Sequence, residues 1–321
     1  MARDLKSPGI SLRRLRQSAA ARELSREVRV TVEQLIQPLF VVEGISQPEA
    51  IPGLTGTFRD TPDSLLKQVE RDLEAGVRKF LLFGVPGQKA ESGFKHDFTA
   101  RQISAIKKRF GADAFLMVDV CLCSSTSHGH CGILNPEGDH VENGATVTEL
   151  VREAVEFARA GADCVSPSDM MDGRIGAIRE GLEEAGLDRT LLMSYSAKFH
   201  SRFYGPFRVA ADSAPKGGAS KLQDRATYQI DPGRPSDALA SSLRDADEGA
   251  DILMVKPGLP YLDVLAMLKR EIPDKPWAVY EVSGEFAAIE LMAQQGLMNG
   301  PAAHVEAWTS LARAGASMII T

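Results

Sequence analysis

Lys256 closes a short apolar run, Ile252 to Val255, set between Gly249 and Pro257-Gly258. Four apolar residues bounded this way read as a strand buried on both faces, with Pro257 stopping it at the lysine. Burial penalises an ammonium ion and lowers its pKa, and the uncharged amine is the form that attacks a carbonyl to give a Schiff base. Taken alone, Lys256 also fits the commoner fate of a strand-end lysine, snorkelling to water. A second lysine, Lys198, ends the apolar run that begins at Leu191. Two such amines facing one mouth would each depress the other's pKa.

A third feature is the spacing C-x-C-x7-C made by Cys121, Cys123 and Cys131 in a loop rich in glycine, serine and histidine. Three thiolates this close suit a soft metal, and zinc is the usual occupant. Three protein ligands leave one coordination position open, as in a catalytic rather than a structural site. A reduced cysteine cluster or a redox pair are the alternatives. His128 and His130 flank Cys131; with three sulfurs at hand a supporting role fits them better than ligation. Cys164, inside a strand, reads as core.

Other polar groups follow apolar runs in the same way. Ser168 and Asp169 open an acidic turn in which Asp172-Gly173 is explained by turn chemistry alone. Ser283, followed by Gly284 and Glu285, offers a hydroxyl and backbone N–H groups near a helix start, suited to a carboxylate. The segment from Phe199 to Asp237 has little regular pattern and includes Lys216 to Lys221, Arg208, Arg225 and Gln229. A segment of that kind suits a lid over an anionic substrate, with Arg208 and Arg225 able to clasp a carboxylate. Either arginine taken singly reads as solvated surface.

These residues need elements to hold them. Apolar runs at 39–42, 80–83, 114–118, 163–166, 191–195, 252–255, 277–280 and 317–320 are strand candidates. Helical spacing lies between most of them, at 64–75, 100–110, 146–160, 175–185, 261–270 and 303–314. Several helices stop at a glycine that leads into the next strand: Gly76, Gly161, Gly186, Gly249 and Gly315. Eight alternations point to an α/β fold, a closed (β/α)8 TIM barrel, whose chemistry sits where strands end. A doubly wound open sheet is the alternative, but no G-x-G-x-x-G turn follows the first strand.

With 321 residues, 44% hydrophobic and 25% charged, the chain has the balance of a globular protein large enough for one such barrel. A net charge of -6 without a long basic patch argues against nucleic acid as the main partner. The apolar runs are strand-sized, too short for a membrane span, and the amino terminus lacks a secretory apolar stretch, so a cytoplasmic home is expected. Residues 1 to about 29 are arginine-rich without an apolar stripe, and read either as a tail or as an arm on a neighbouring subunit.

Together, the segments Asp119 to Gly132, Ser168 to Gly173, Ser194 to Phe199, Phe203 to Arg208, Met254 to Gly258 and Val282 to Phe286 resemble the porphobilinogen synthase (5-aminolaevulinate dehydratase) family. The resemblance runs from about Gln37 to the end of the sequence. It implies a lyase that condenses two molecules of 5-aminolaevulinate to porphobilinogen in haem biosynthesis. By position, Lys256 would hold the first substrate and Lys198 the second, each as a Schiff base. Cys121, Cys123 and Cys131 match the zinc-dependent branch of the family. Arg208, Arg225 and Gln229 would hold the second substrate's carboxylate and Ser283 the first's, with Asp119, Ser168, Asp169, Tyr204 and Phe207 lining the pocket.

The resemblance also implies a homo-octamer in which residues 1–30 form an embracing arm and 31–321 the catalytic barrel. An additional allosteric Mg2+ is found in many bacterial members; Arg244 stands where an arginine would replace it, which weighs against that ion. The family's tyrosine after the last strand would come directly after Thr321, and a chain truly ending there is expected to bind the first substrate less well. Two rival readings remain at this stage: another Schiff-base barrel enzyme of the class I aldolase type, or a non-catalytic zinc-binding protein. The first leaves the cysteines and second lysine idle; the second makes the paired lysines accidental.

Overall fold

A computed structural model describes residues 13–215 and 220–321. Each apolar run singled out above is a strand: β1 (Leu35–Val42), β2 (Lys79–Val85), β3 (Phe115–Val120), β4 (Cys164–Pro167), β5 (Leu191–Lys198), β6 (Ile252–Lys256), β7 (Trp277–Tyr280) and β8 (Met318–Ile320). Every strand pairs in parallel with the next. The ring closes where Leu35 and Ile36 pair with Ile319 and Ile320. The barrel expectation holds.

Helices α1 (Pro62–Glu74), α2 (Asp97–Phe110), α3 (Asn143–Arg159), α4 (Arg174–Glu184), α5 (Pro235–Asp247), α6 (Leu262–Glu271), α7 (Ser283–Gln294) and α8 (Gly300–Ala314) surround it. Capping explains why some start earlier than apolar spacing suggests. Thr61 Oγ1 accepts from Ser64 N at 3.1 Å and Asn299 Oδ1 from Ala302 N at 3.1 Å, each with a proline in the first turn. The glycine stops are also as expected: Gly161 (φ 108°) and Gly249 (φ 99°) take a backbone conformation that a side chain would strain.

Two apolar layers result. Leu82, Val118 and Leu253 face outward onto helix residues such as Leu65, Ile103 and Leu150. Ile36, Leu81, Met117, Met193 and Met254 fill the inside of the barrel, and Cys164 belongs there as read, its thiol pushed up to about 12 by burial. Alternation along each strand separates the layers.

Two features were not legible. A small antiparallel pair, Glu49–Ala50 and Phe58–Asp60, extends β1 beyond the reach of β8, and strands of two and three residues carry no period to read. The segment 199–237 also holds regular structure, a short helix Gly205–Ala210 and the start of α5. Of the segment expected to form an arm, residues 1–12 lie outside the described residues; Ala19–Leu24 is a short exposed helix. Residues 216–219, with Lys216 and the glycines that follow it, also lie outside them.

Candidate active site

Lys198 and Lys256 are register partners at the carboxyl ends of neighbouring strands β5 and β6. Both are buried. Alternation alone would not bring them together: Met193 and Tyr195 point into the barrel, so Lys198 would point out. A bulge between Ser194 and Ala197 corrects this. Ser196 bonds outward to Ser242 on α5 at 3.0 Å and Ala197 packs in the outer layer, so that Lys198 turns inward. No sequence signal for this extra residue was read.

Aromatic faces surround the Lys256 amine, with Nζ 3.9 Å from the ring centre of Tyr280, 4.7 Å from Phe207, 5.1 Å from Tyr195 and 5.6 Å from Tyr204. Burial drives the pKa of Lys256 well below its ordinary value, and the neighbouring Lys198 pushes the same way, against the pull of Asp119. Lys256 is therefore a buried amine that gives up its proton more readily than an ordinary lysine. The Lys198 amine donates to the carbonyl oxygen of Ser168 and lies 5.5 Å from the Tyr195 ring centre. Tyr195 and Tyr280 were read only as strand residues, because nothing in a strand's period tells a wall of a reaction chamber from core.

Asp119 lies at the end of β3. Burial, helped by Cys123, raises its carboxyl to about 7, although both lysines and Ser168 pull it down. Its Oδ1 is buried without a hydrogen-bond partner. The Sγ atoms of Cys121, Cys123 and Cys131 lie within 4.8 Å of one another, all buried. Thiolates around a tetrahedral zinc, with bonds of about 2.3 Å, stand roughly 3.8 Å apart, so small adjustments would close the shell. Cys121 and Cys123 bond to Cys131 and lower its pKa, while hydrogen bonding with Cys123, then Cys131, and burial push Cys121 up. A cation would relieve this competition. The cluster thus fits a metal ion.

The histidines are not part of the cluster. His130 Nδ1 meets the Tyr228 hydroxyl at 3.1 Å and Nε2 the carbonyl of Leu222 at 3.3 Å, and its backbone N–H donates to His128 Nδ1 at 3.1 Å. Arg225 donates to the carbonyls of Gly129 (2.9 Å) and Ser213 (2.6 Å), tying the cysteine loop to the segment after the short helix. Burial works against its charge, but Cys131 and Cys123 more than offset it and its pKa is raised. Gln229 is buried with neither amide atom hydrogen-bonded. Arg208 is half-buried on the short helix; burial and Arg225 lower its pKa, and its Nε is unpartnered. Across the mouth, Ser283 Oγ accepts from Phe207 N at 2.9 Å, and Tyr204 donates to the Phe199 carbonyl at 2.8 Å and to that of Lys256 at 3.3 Å.

Asp169 differs from the other lining residues. Its carboxylate faces Arg174 Nε at 3.5 Å and accepts from Met171 N at 2.7 Å. Arg174 also reaches Asp245 at 3.3 Å and Ser194 at 3.3 Å, a buried network outside the barrel that joins three elements far apart in sequence. Asp172 is exposed and pairs with Arg244.

The class this defines is a (β/α)8 barrel with buried amines and a thiol cluster gathered at the carboxyl ends of its strands. A sequence model of the family described as Delta-aminolevulinic acid dehydratase matches residues 10–321. The dehydratase of Methanothermus sociabilis is 41% identical over 99% of this chain and 97% of its own. That of Staphylococcus aureus is 40% identical over 96% and 95%. A crystal structure of the Toxoplasma gondii dehydratase (porphobilinogen synthase), in complex with the reaction product porphobilinogen, superposes with a TM-score of 0.91 at 41% identity, covering 97% of this chain and 88% of that one. The chain belongs to the delta-aminolevulinic acid dehydratase family, which are hydro-lyases of porphyrin biosynthesis. Membership sets aside both rivals, the aldolase of another substrate and the non-catalytic zinc protein. Among the described residues, no helix is long and apolar enough to cross a membrane.

Proposed function

We propose that this chain condenses two molecules of 5-aminolaevulinate to one porphobilinogen and two waters, with Lys256 and Lys198 as the Schiff-base residues. The observation that carries this reading is the register pairing of two buried lysines, one with its pKa driven well down, beside three converging thiols.

Lys256 Nζ attacks the keto carbon of the first substrate; its nitrogen gives up one proton and a neighbouring acid supplies a second, the carbonyl oxygen leaves as water, and an iminium remains. That cation acidifies the adjacent C–H, which is the bond to be exchanged for C–C. Lys198 takes the second substrate in the same way. Asp119, with a carboxyl near 7 and a free buried oxygen, is suited to accept and return protons beside both nitrogens. The hydroxyl and backbone around Ser283 suit the first carboxylate. Arg208, Arg225 and Gln229, all with unpartnered polar atoms, suit the second. Ser168, Asp169, Tyr204 and Phe207 shape the chamber, with the Asp169 carboxylate held against Arg174.

Soft thiolate donors favour zinc over magnesium at Cys121, Cys123 and Cys131. Zinc bound there supplies a Lewis acid toward the second substrate. Arg244 pairs with Asp172, Asp245 (2.9 Å) and Glu248 (3.7 Å), filling that acidic patch with its own charge, which supports an enzyme without the additional Mg2+. Residues 1–30 we assign to an arm that joins subunits into an octamer, and the enzyme to the cytoplasm.

Borohydride trapping with 5-aminolaevulinate, followed by peptide mass mapping, tests the central assignment. The adduct is expected on Lys256 and is lost in Lys256→Ala. An adduct that persists in that variant at the same yield would refute it.

A further inference from the structure

The ladder between β6 and β7 ends at Val255 and Val279. Beyond it, no strand pairing fixes the turn after Lys256 to the turn that carries Ser283. One side chain does so. Glu285, 4% exposed, accepts from Val282 N at 2.8 Å and Gly258 N at 3.2 Å through Oε2, and from Leu259 N at 2.5 Å through Oε1. One carboxylate therefore grips the backbone two and three residues after Lys256 and the residue just before Ser283.

The surroundings leave little slack. A Cβ on Gly258 would come within 2.9 Å of Leu311 Cδ2 and 3.2 Å of the Tyr280 carbonyl oxygen, and one on Gly284 within 2.6 Å of the Phe203 carbonyl oxygen. Ser283 bonds to Phe207, whose ring centre lies 4.7 Å from the Lys256 amine. Amine, aromatic wall and hydroxyl form one connected surface. The carboxylate is also kept there against its own solvation: burial raises it to about 7 even though three N–H groups pull it down.

We propose that Glu285 is a positioning residue that fixes the separation between the Lys256 amine and the Ser283 anchor, and so sets the length of keto acid the first site accepts. The proposal rests on the roles given to Lys256 and Ser283 above. In a 4-oxo acid the carbonyl carbon and the carboxylate are separated by two methylenes, and a rigid pair of anchors discriminates against a third. Sites that measure one methylene typically do so by about 10- to 200-fold.

The probes are 4-oxopentanoate, which is the substrate without its amino group, and 5-oxohexanoate, one methylene longer. Each forms an iminium with the amine by loss of water, and borohydride delivers hydride to that carbon to leave a stable secondary amine. Labelling of Lys256 is counted by peptide mapping in wild type, Glu285→Gln and Glu285→Asp, with melting temperature measured alongside. Glutamine turns N–H donors toward backbone donors, and aspartate is too short to hold both turns. Wild type should prefer the shorter acid by about 10-fold or more. In folded Glu285→Gln that preference should fall toward unity while Lys256 is still labelled, and Glu285→Asp should fall between. An unchanged preference in a folded variant overturns the proposal, whatever happens to total labelling. So does failure of both variants to fold, which would make Glu285 a general support of the barrel. Absence of label on Lys256 in wild type would instead refute the assignment of the amine itself.

Discussion

Strand β5 presents two kinds of buried charge. On its outer face, Ser194 joins Arg174, Asp169 and Asp245 in a network where opposite charges meet. On its inner face, Lys198 stands beside Lys256, and like charge adds to burial in making a proton unwelcome. Desolvation is severe on both faces; the difference lies in compensation. A buried charge that is paired holds elements together, and its loss is a stability event. A buried group left short of partners shifts its pKa and becomes available for chemistry.

This contrast should separate in mutants. Lys198→Ala is expected to lower turnover by on the order of 10^4-fold, as for covalent groups acting as a unit, while the melting temperature holds or rises. Lys256 should still be labelled by the first substrate. Normal turnover would show that the second amine is unused. Stripping the metal with a chelator should abolish turnover, zinc should restore it, and circular dichroism should report an intact barrel. Full activity of metal-free protein would remove the role given to the cysteines.

Arg174→Ala attacks the outer face. It strands the buried carboxylate of Asp169 and leaves Asp245 to Arg244 and Ser194 alone, and about 3–5 kcal/mol of stability should go with it. Turnover per folded molecule should stay within about tenfold of wild type at a temperature where the variant is folded, since the reacting groups are untouched. A variant that is stable but inactive would mean that the two faces are one device.

The smallest effect tests paired burial elsewhere. His96 is buried between Glu149 (2.7 Å) and Glu153 (3.4 Å). Burial alone would lower its pKa, but the two carboxylates raise it from 6.5 to about 9. A group raised in the folded state stabilises fully below its unfolded value and loses that contribution as pH rises through the folded one. Wild type should therefore lose roughly 2–3 kcal/mol between pH 6.5 and 9 that His96→Gln never had. Parallel pH profiles for the two proteins would rule the pairing out.

How much of this could be read in advance follows from the range of each interaction. Strands, glycine stops, the cysteine spacing and the two strand-end lysines are local patterns, and they were legible. Arg174 with Asp245, and Glu285 with Gly258 and Leu259, join residues far apart in sequence, and neither partner announces the other. Asp169 is expected to line the pocket; that its carboxylate meets Arg174, five residues on, could not be read from its place after a strand. The bulge that turns Lys198 inward leaves no mark in the alternation, because Ser-Ala can sit on either face. A strand-end lysine is visible in sequence; which way it points is decided by one extra residue.

The claim on which the rest stands is that Lys256 sheds its proton far more easily than an ordinary lysine. Its rate of modification by an amine-selective acylating reagent, followed site by site with pH, measures this directly. The account requires the rate at Lys256 to level off well below the 10.5 of an ordinary lysine. A rate that climbs with pH until about 10, as at exposed lysines of the same protein, would contradict it.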